Sequence, residues 1–347
     1  MVQDINQVDL MVSWVMRKYV KFLVLGALSS CALLNLALRA GTGLHYYCQD
    51  ECLTGMLKSP LKSFDKDVIQ HIRDYWLDPP APRGSYKPDF PLENPPWSTV
   101  GNWAEAYKFI NDYFKNYKNP GTYMEIGAQD GEFASLSLFV GERLGFRGVL
   151  VEPNPYHYQK IRAGGRSAYS INACATPDGG HRKNTLWLRH TPGNLPPLLH
   201  RIQEGSNRLL QYVSKEVRRG HGCRGGDEGG ASGEESEWRR LRRKGDEDRE
   251  LGDLVEVQCF SAGAIARAAL NTSKVDFLVI STHGGEMDIL SALGPTIMFR
   301  MIVVVVPLAT KQEYDELDAA AKSRGLITAF NKNNIHILIP ENEVKIV

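Results

Sequence analysis

Three kinds of hydrophobic pattern follow one another along the chain. The first is one uninterrupted run: residues 22–38, FLVLGALSSCALLNLAL, carry no charge. A helix of that length spans about 26 Å, close to an apolar membrane core of about 30 Å. Tyr19 and Val20 extend it, while Lys21 reaches back to the interface. The second pattern is helical spacing. Trp103, Tyr107, Ile110 and Phe114 fall on one face of a helix over 103–117, and a shorter helix is expected at 66–76. The third is a steady alternation of short apolar runs with helical stretches. Strands are expected at 122–128, 148–153, 168–174, 185–189, 255–259, 275–281 and 301–308. Helices are expected at 133–144, from 155 onward, and at 261–270, 285–293 and 311–324. ITAF and IHILIP then flank Asn331-Lys332-Asn333-Asn334, a hairpin signal. Strands alternating with helices predict an α/β fold whose mostly parallel sheet is covered on both faces, with antiparallel strands at its edge.

Two stretches break the rhythm. Prolines crowd residues 79–96, so the approach to the α/β region is either an extended spacer or a wrap on the domain surface. Residues 220–252 are rich in glycine and in charges of both signs; they cannot bury apolar surface and are expected to form a disordered loop. The pattern therefore divides the 347 residues into a cytosolic N-terminus at 1–21, a transmembrane signal-anchor at 22–38, a Pro-rich lumenal stalk at 39–100 and one α/β domain at 101–347, with an insertion at about 220–252. Length alone would suggest about two domains.

Charge sets the orientation. Arg17, Lys18 and Lys21 precede the apolar run and only Arg39 follows closely, which keeps the N-terminus cytosolic and sends the rest into the lumen. The run is too long, and its exit at Leu38-Arg39-Ala40 too poor, for a cleaved signal peptide. Over the whole chain 41 basic residues balance 40 acidic ones, which excludes the basic footprint of a general nucleic-acid binder. Of the six cysteines, Cys31 lies in the span and the other five face an oxidising compartment. No spacing among them matches a zinc site, so no metal is expected. Cys48 and Cys52 pair locally or cross-link two chains, whereas Cys174 and Cys259, each ending an expected strand, read as buried thiols. Asn271-Thr272-Ser273 is a glycosylation sequon in this orientation.

The candidate chemistry sits at Glu125-Ile126-Gly127-Ala128-Gln129-Asp130-Gly131, where a strand opens into a helix. Gly127 and Gly131 let the backbone turn tightly and approach a ligand. Glu152 ends the next strand, where a carboxylate accepts hydrogen bonds from ribose hydroxyls. Together these point to a nucleoside-bearing cofactor; a tight turn beside an exposed acid is the simpler alternative. Asp130 belongs to the same turn or caps the following helix.

At these residues the sequence resembles the FkbM-type, S-adenosylmethionine-dependent methyltransferases. YMEIGAQDGEFASLSLFVGERLGFRGVLVEPNPYHYQKI matches the family's opening, and VDFLVISTHGGEMDIL matches its second signature in register. The resemblance covers roughly residues 100–340. It implies a class I, Rossmann-like methyltransferase fold of seven strands with a late antiparallel strand, S-adenosylmethionine as cofactor, and Glu125, Gly127, Asp130, Gly131 and Glu152 around it. The second signature departs from the enzymatic pattern: Ser281 stands where an Asp is usual and His283 where a Glu is usual, while Gly284 and Glu286 are kept. His283 is then either a general base or the remnant of a lost site. With the anchor and the lumenal domain, the chain is similar to a membrane-anchored branch of the family, the insect Star proteins. That likeness implies a non-enzymatic trafficking role in endoplasmic reticulum, Golgi and later secretory or endosomal membranes, with a membrane-bound EGF-like growth-factor precursor as partner. A membrane-anchored O-methyltransferase is the alternative.

Overall fold

The central sheet is built from runs that are apolar on both sides of the strand. In β2 (Thr122–Ile126), β9 (Lys274–Ile280) and β10 (Met298–Val305), Tyr123, Phe277, Val279, Met301 and Val303 share one core with Tyr107, Ile110 and Phe114 of α2 (Gly101–Phe114). The alternate residues Met124, Ile126, Leu278, Ile280, Ile302 and Val304 are equally buried on the other face. Side chains alternate along a strand, so burial of both sets requires cover on both faces, as the continuous apolar runs predict.

This computed structural model describes residues 65–346 apart from 93–94, 100, 177–179, 192, 196, 214–251, 295–296 and 309. The remaining elements are α1 (Lys66–Tyr75), β1 (Leu77–Asp78), α3 (Leu138–Glu142), β3 (Arg147–Val151), α4 (Pro155–Gly164), β4 (Tyr169–Ile171), β5 (Cys174–Ala175), β6 (Arg182–Arg189), α5 (Pro197–Glu204), β7 (Arg208–Leu209), β8 (Gly252–Phe260), α6 (Ala262–Leu270), α7 (Glu286–Ala292), α8 (Lys311–Lys322), β11 (Leu326–Lys332) and β12 (Ile335–Pro340). Strand order in the main sheet is β1-β4-β3-β2-β9-β10-β12-β11. β4, β3, β2, β9 and β10 are mutually parallel, and β12 runs antiparallel to both β10 and β11. This is the seven-stranded arrangement that the resemblance implies, with β1 added antiparallel to β4 at the edge. The expected hairpin is β11–β12, and Asn333 in its tight turn takes a left-handed φ of 52°.

Several expectations change. The helix expected at 133–144 shrinks to α3, because Ala134 adopts φ 55° and the Ser135 and Ser137 side chains turn inward to Glu125. The strand expected at 168–174 breaks at Asn172, whose amide donates to the carbonyls of Glu152 and Pro153 at 2.8 and 3.1 Å. Cys174 and Ala175 thereby leave the main sheet for a second one ordered β5-β8-β6-β7.

From residue 65 onward the Pro-rich stretch is a wrap on the α/β unit: Ala81 N–H donates to Arg166 O at 3.2 Å and Lys87 N–H to Gly164 O at 3.3 Å. Arg73 of α1 donates to the carbonyls of Arg267 and Ala268 and to the Asn271 side chain, each at 3.0 Å, closing the C-terminus of α6. Farther along, Phe90 and Trp97 pack edge-on, and Trp97 covers Phe133. The apolar residues between the prolines find a core, which an independent spacer would not offer. Asn271 is exposed at the end of α6. Among the described residues no helix is long and apolar enough to cross a membrane. The expected anchor at 22–38, Cys48, Cys52, Cys223 and the expected loop up to residue 251 lie outside the described residues.

The reading of Cys174 and Cys259 as free thiols is also overturned. β5 pairs with β8 so that the two residues stand opposite one another, Cα atoms 4.4 Å apart, and they form a disulfide. The break at Asn172 is what brings Cys174 to β8, and nothing in the local spacing reveals it. The bond links residues 85 positions apart, so it removes much freedom from the unfolded chain. Replacing both cysteines with alanine should lower stability by about 2–4 kcal/mol. Urea unfolding of the variant against the oxidised parent checks this, and equal midpoints would refute it.

Candidate functional site

The C-terminal ends of β2, β3 and β9 meet at one pocket. After β2 the backbone N–H groups of Gly127 and Ala128 both donate to the Val151 carbonyl, at 2.9 and 3.1 Å. Ser281 N–H donates to Ile126 O at 2.9 Å. The chain at Gly127 is thus clamped between its two neighbouring strands, with φ at 81°. A Cβ there would stand 1.8 Å from the Ser281 carbonyl oxygen. The turn is completed from below: Asp130 Oδ1 accepts from the backbone of Glu132 and Phe133 at 3.0 and 2.7 Å, and the Gly131 carbonyl accepts from the Arg166 guanidinium.

Glu152 is buried in the pocket wall. Its two carboxylate oxygens accept from Gln129 N–H at 2.7 Å and Asn154 N–H at 2.8 Å. Burial pushes its pKa up to about 8 against the pull of those two donors, with Asp130 adding a smaller push. Near neutral pH the group is therefore largely the protonated acid, which can donate to one ligand hydroxyl and accept from another. The sign of the linkage follows: a carboxylate whose folded pKa lies above its unfolded value stabilises fully below the unfolded value of 4.5, and the contribution is lost as pH rises through about 8. Between about pH 5 and pH 9 the parent should therefore lose stability that Glu152→Gln retains. Urea unfolding at both pH values measures the difference, and an identical pH slope in the variant would assign the effect elsewhere.

Glu125 faces away from the pocket. Its carboxylate accepts from Ser135 and Ser137 hydroxyls, each at 2.6 Å, and from Leu136 N–H at 3.2 Å. Behind it Arg166 pairs with Glu142 at 2.9 Å and donates to Tyr123 Oη at 3.1 Å. The structure therefore brings Gly127, Glu152 and His283 to one pocket and sets Glu125, Asp130 and Gly131 behind it as its support.

The opposite wall is the loop after β9. Glu286 is buried and accepts from Thr282 N–H at 2.6 Å and Gly284 N–H at 2.8 Å, which fixes the turn ahead of α7. His283 takes φ 57° and opens onto the pocket. The ring is solvent-exposed at the pocket mouth, and the protein crowded around it, with the nearby Arg208 charge, lowers its pKa from the ordinary histidine value.

The third wall was not visible in the sequence. A strap over residues 205–213 crosses the mouth and contributes Gly205, Asn207, Arg208, Leu209 and Tyr212. Asn207 anchors it, accepting from Arg189 N–H at 3.0 Å and donating to Glu204 O at 2.7 Å. Tyr212 lies against Gly284 and Gly285 and donates to Asp288 at 2.6 Å. A two-residue strand in a polar stretch carries no periodicity, so only the tertiary contacts disclose it. Cys174 and Ala175 also reach the pocket, which places the disulfide at its edge. The enclosed room is about 40 Å³, space for a few waters. A nucleoside-sized ligand therefore requires the walls to part. The donor and acceptor set fits such a ligand: a carboxyl group for hydroxyls at Glu152, and apolar walls from Ile126, Val151, Leu186 and Ile289.

A family profile described as the methyltransferase FkbM domain matches residues 125–325, more than half of the chain. No curated protein and no solved structure matches. The matched segment begins at the buried Glu125 and runs through all three walls of the pocket to the end of α8. The chain belongs to the FkbM methyltransferase-domain family.

Proposed function

We propose that this chain is a Star-like, single-pass membrane protein. It assists transport of membrane-bound EGF-receptor ligand precursors from the endoplasmic reticulum to the Golgi, using its FkbM domain as a binding module. The observation that carries this reading is how the signature acids are used. Ser281 and His283 replace two of them, and the retained Glu286 is engaged by the backbone N–H groups of Thr282 and Gly284, where it fixes the loop. His283, whose pKa is lowered by its surroundings and by the Arg208 charge, is a weaker base for activating an acceptor hydroxyl than an ordinary histidine. The apolar run at 22–38, its basic cytosolic flank and the Cys174–Cys259 disulfide support a lumenal domain. The protein then resides in endoplasmic reticulum and Golgi membranes and later secretory or endosomal ones, with Asn271 as a glycosylation site. Co-precipitation with EGF-like precursors and their export in cells lacking this protein test the reading. Absence of any association, together with normal export, would overturn it.

The second reading is a membrane-anchored S-adenosylmethionine-dependent O-methyltransferase. The retained pocket favours it, with Gly127 clamped at the switch point and Glu152 lining the wall. Calorimetry with S-adenosylmethionine separates the two: no binding at about millimolar ligand removes the enzyme. A third reading, a soluble cytosolic enzyme, is removed by glycosylation of Asn271 in cells.

A further inference from the structure

Each end of α1 meets a buried imidazole. At the C-terminal end, Trp76 Nε1–H donates to Nε2 of the buried His71 at 3.1 Å. That bond requires a lone pair on Nε2, so the ring is the neutral tautomer with its hydrogen on Nδ1. At the N-terminal end, Asp65 caps the helix by accepting from Asp67 N–H at 3.1 Å, and its charge acts on His181. His181 is buried, and neither of its ring nitrogens has a hydrogen-bond partner among the described residues. Phe260 joins the two imidazoles: its ring packs edge-on against Trp76 at 5.4 Å and at a tilt against His181 at 5.9 Å. The cluster ties α1 to the start of β6 and the end of β8, beside the Cys174–Cys259 disulfide.

A proton on either ring opposes this arrangement. On His71 it turns Nε2 into a donor facing the indole donor, and the bond to Trp76 is lost. On His181 it creates a buried cation with two unmet donors, or it draws Asp65 from its cap; both weaken α1. Few charges are placed to compensate. On α1, Asp74 favours a charged His71 but already accepts from Gln70 at 2.7 Å, and Arg73 is engaged on α6. α6 brings Arg267, and β1 brings Asp78, which pairs with Arg162 at 3.3 Å. Beside His181, β6 begins with Arg182, a like charge, while β5 and the Gln258-Cys259-Phe260 end of β8 carry none. Burial holds both imidazoles below the ordinary histidine value of 6.5. A histidine depressed in this way stabilises fully above 6.5, and its contribution is lost as pH falls from there through the folded value.

We propose that the His71–Trp76–Phe260–His181 cluster is an acid-released latch: at neutral pH it holds α1 and Trp76 on the domain, and protonation of the two imidazoles frees them. What opens is the cover of α6, in which every residue but Gly263 and Arg267 is buried. The disulfide holds the Phe260 side of the cluster, so the movement falls on α1. The latch stands apart from the pocket and holds under either proposed function. In a chain carried from a neutral compartment into an acidified one, it loosens the segment that leads into the domain.

The test is amide hydrogen exchange of the full chain in detergent at about pH 7.5 and about pH 5.5, corrected for the intrinsic rate. Amides of residues 66–76 should exchange about tenfold faster at the lower pH, while those of β2 and β9 keep their protection. The local readout is needed because burial also lowers His157 and His336, which lie elsewhere. His71→Gln keeps an acceptor for the indole and cannot titrate; His181→Leu keeps an apolar contact with Phe260. The double variant should exchange alike at both pH values over 66–76. Equal acceleration in the parent and the double variant, or no acceleration in the parent, overturns the latch. Loss of protection in β2 and β9 along with 66–76 overturns it too, because the response is then global unfolding. If the double variant is already loose at neutral pH, Trp76→Phe carries the test. Without the indole donor a proton on His71 breaks no bond, so the acid acceleration should shrink, and an undiminished one overturns the proposal.

Discussion

Gly127→Ala is expected to destabilise the folded protein by about 3 kcal/mol or more and to abolish binding in the pocket. Two costs combine at this position. The left-handed φ of 81° costs an alanine about 1–2 kcal/mol. The added methyl would also stand 1.8 Å from the Ser281 carbonyl oxygen, and that oxygen belongs to the backbone of a clamped strand end. Relief requires β2 and β9 to part at their C-terminal ends, which opens the Ser281 N–H to Ile126 O bond. Gly84 separates the two costs. Its φ is 82°, and nothing lies within 4 Å of a methyl placed there. Gly84→Ala should therefore show the backbone cost alone, about 1 kcal/mol. Urea unfolding of both variants gives the difference. If the two prove equal, the clamp between β2 and β9 does not constrain the turn.

Removing the buried guanidinium below the turn should have an effect of similar size. Arg166 and Glu142 side chains are 1% and 6% exposed and lie 2.9 Å apart. The same guanidinium donates to the Gly131 carbonyl and to Tyr123 Oη, while the Arg166 charge favours ionisation of Glu125, which burial alone opposes. Arg166→Met leaves Glu142 and the Gly131 carbonyl buried without this donor, at a cost of about 3–5 kcal/mol. Adding Glu142→Gln to that variant should recover part of the loss, because an uncompensated charge is worse than none. A double-mutant cycle read by urea unfolding measures the coupling; strictly additive losses would show that the pair is not coupled.

The sheet was legible because its strands are apolar on both sides and its helices carry stop signals such as Gly165 after α4. The turn at Gly127 and the acid at Glu152 were legible as motif and position. Three features were hidden, each for a physical reason. Glu125 reads as a ligand residue from the motif, yet its direction is decided by Ser135 and Ser137, ten and twelve residues later. The second sheet depends on where one asparagine side chain bonds, since Asn172 ends β4 and frees Cys174 for β8. The strap at 205–213 is held by Asn207 and Tyr212 through contacts with residues distant in sequence, and its apolar content is too small to show a period. Patterning reports burial well; it reports the direction of a polar side chain only when a local rule fixes it.

The Cys174–Cys259 bond has a consequence for how the chain behaves when cut. One cysteine precedes the segment 214–251 and the other follows it. The basic cluster Arg239, Arg240, Arg242, Arg243 and Lys244 within that segment offers trypsin-type proteases a series of cleavage sites. A cut there yields two polypeptides that remain one covalent particle under oxidising conditions. Electrophoresis should show a single band without reductant and two bands with it. Proteolytic processing at that segment would thus leave the C-terminal half tethered to the half that carries the apolar N-terminal run, and release would require a reductant as well as a protease.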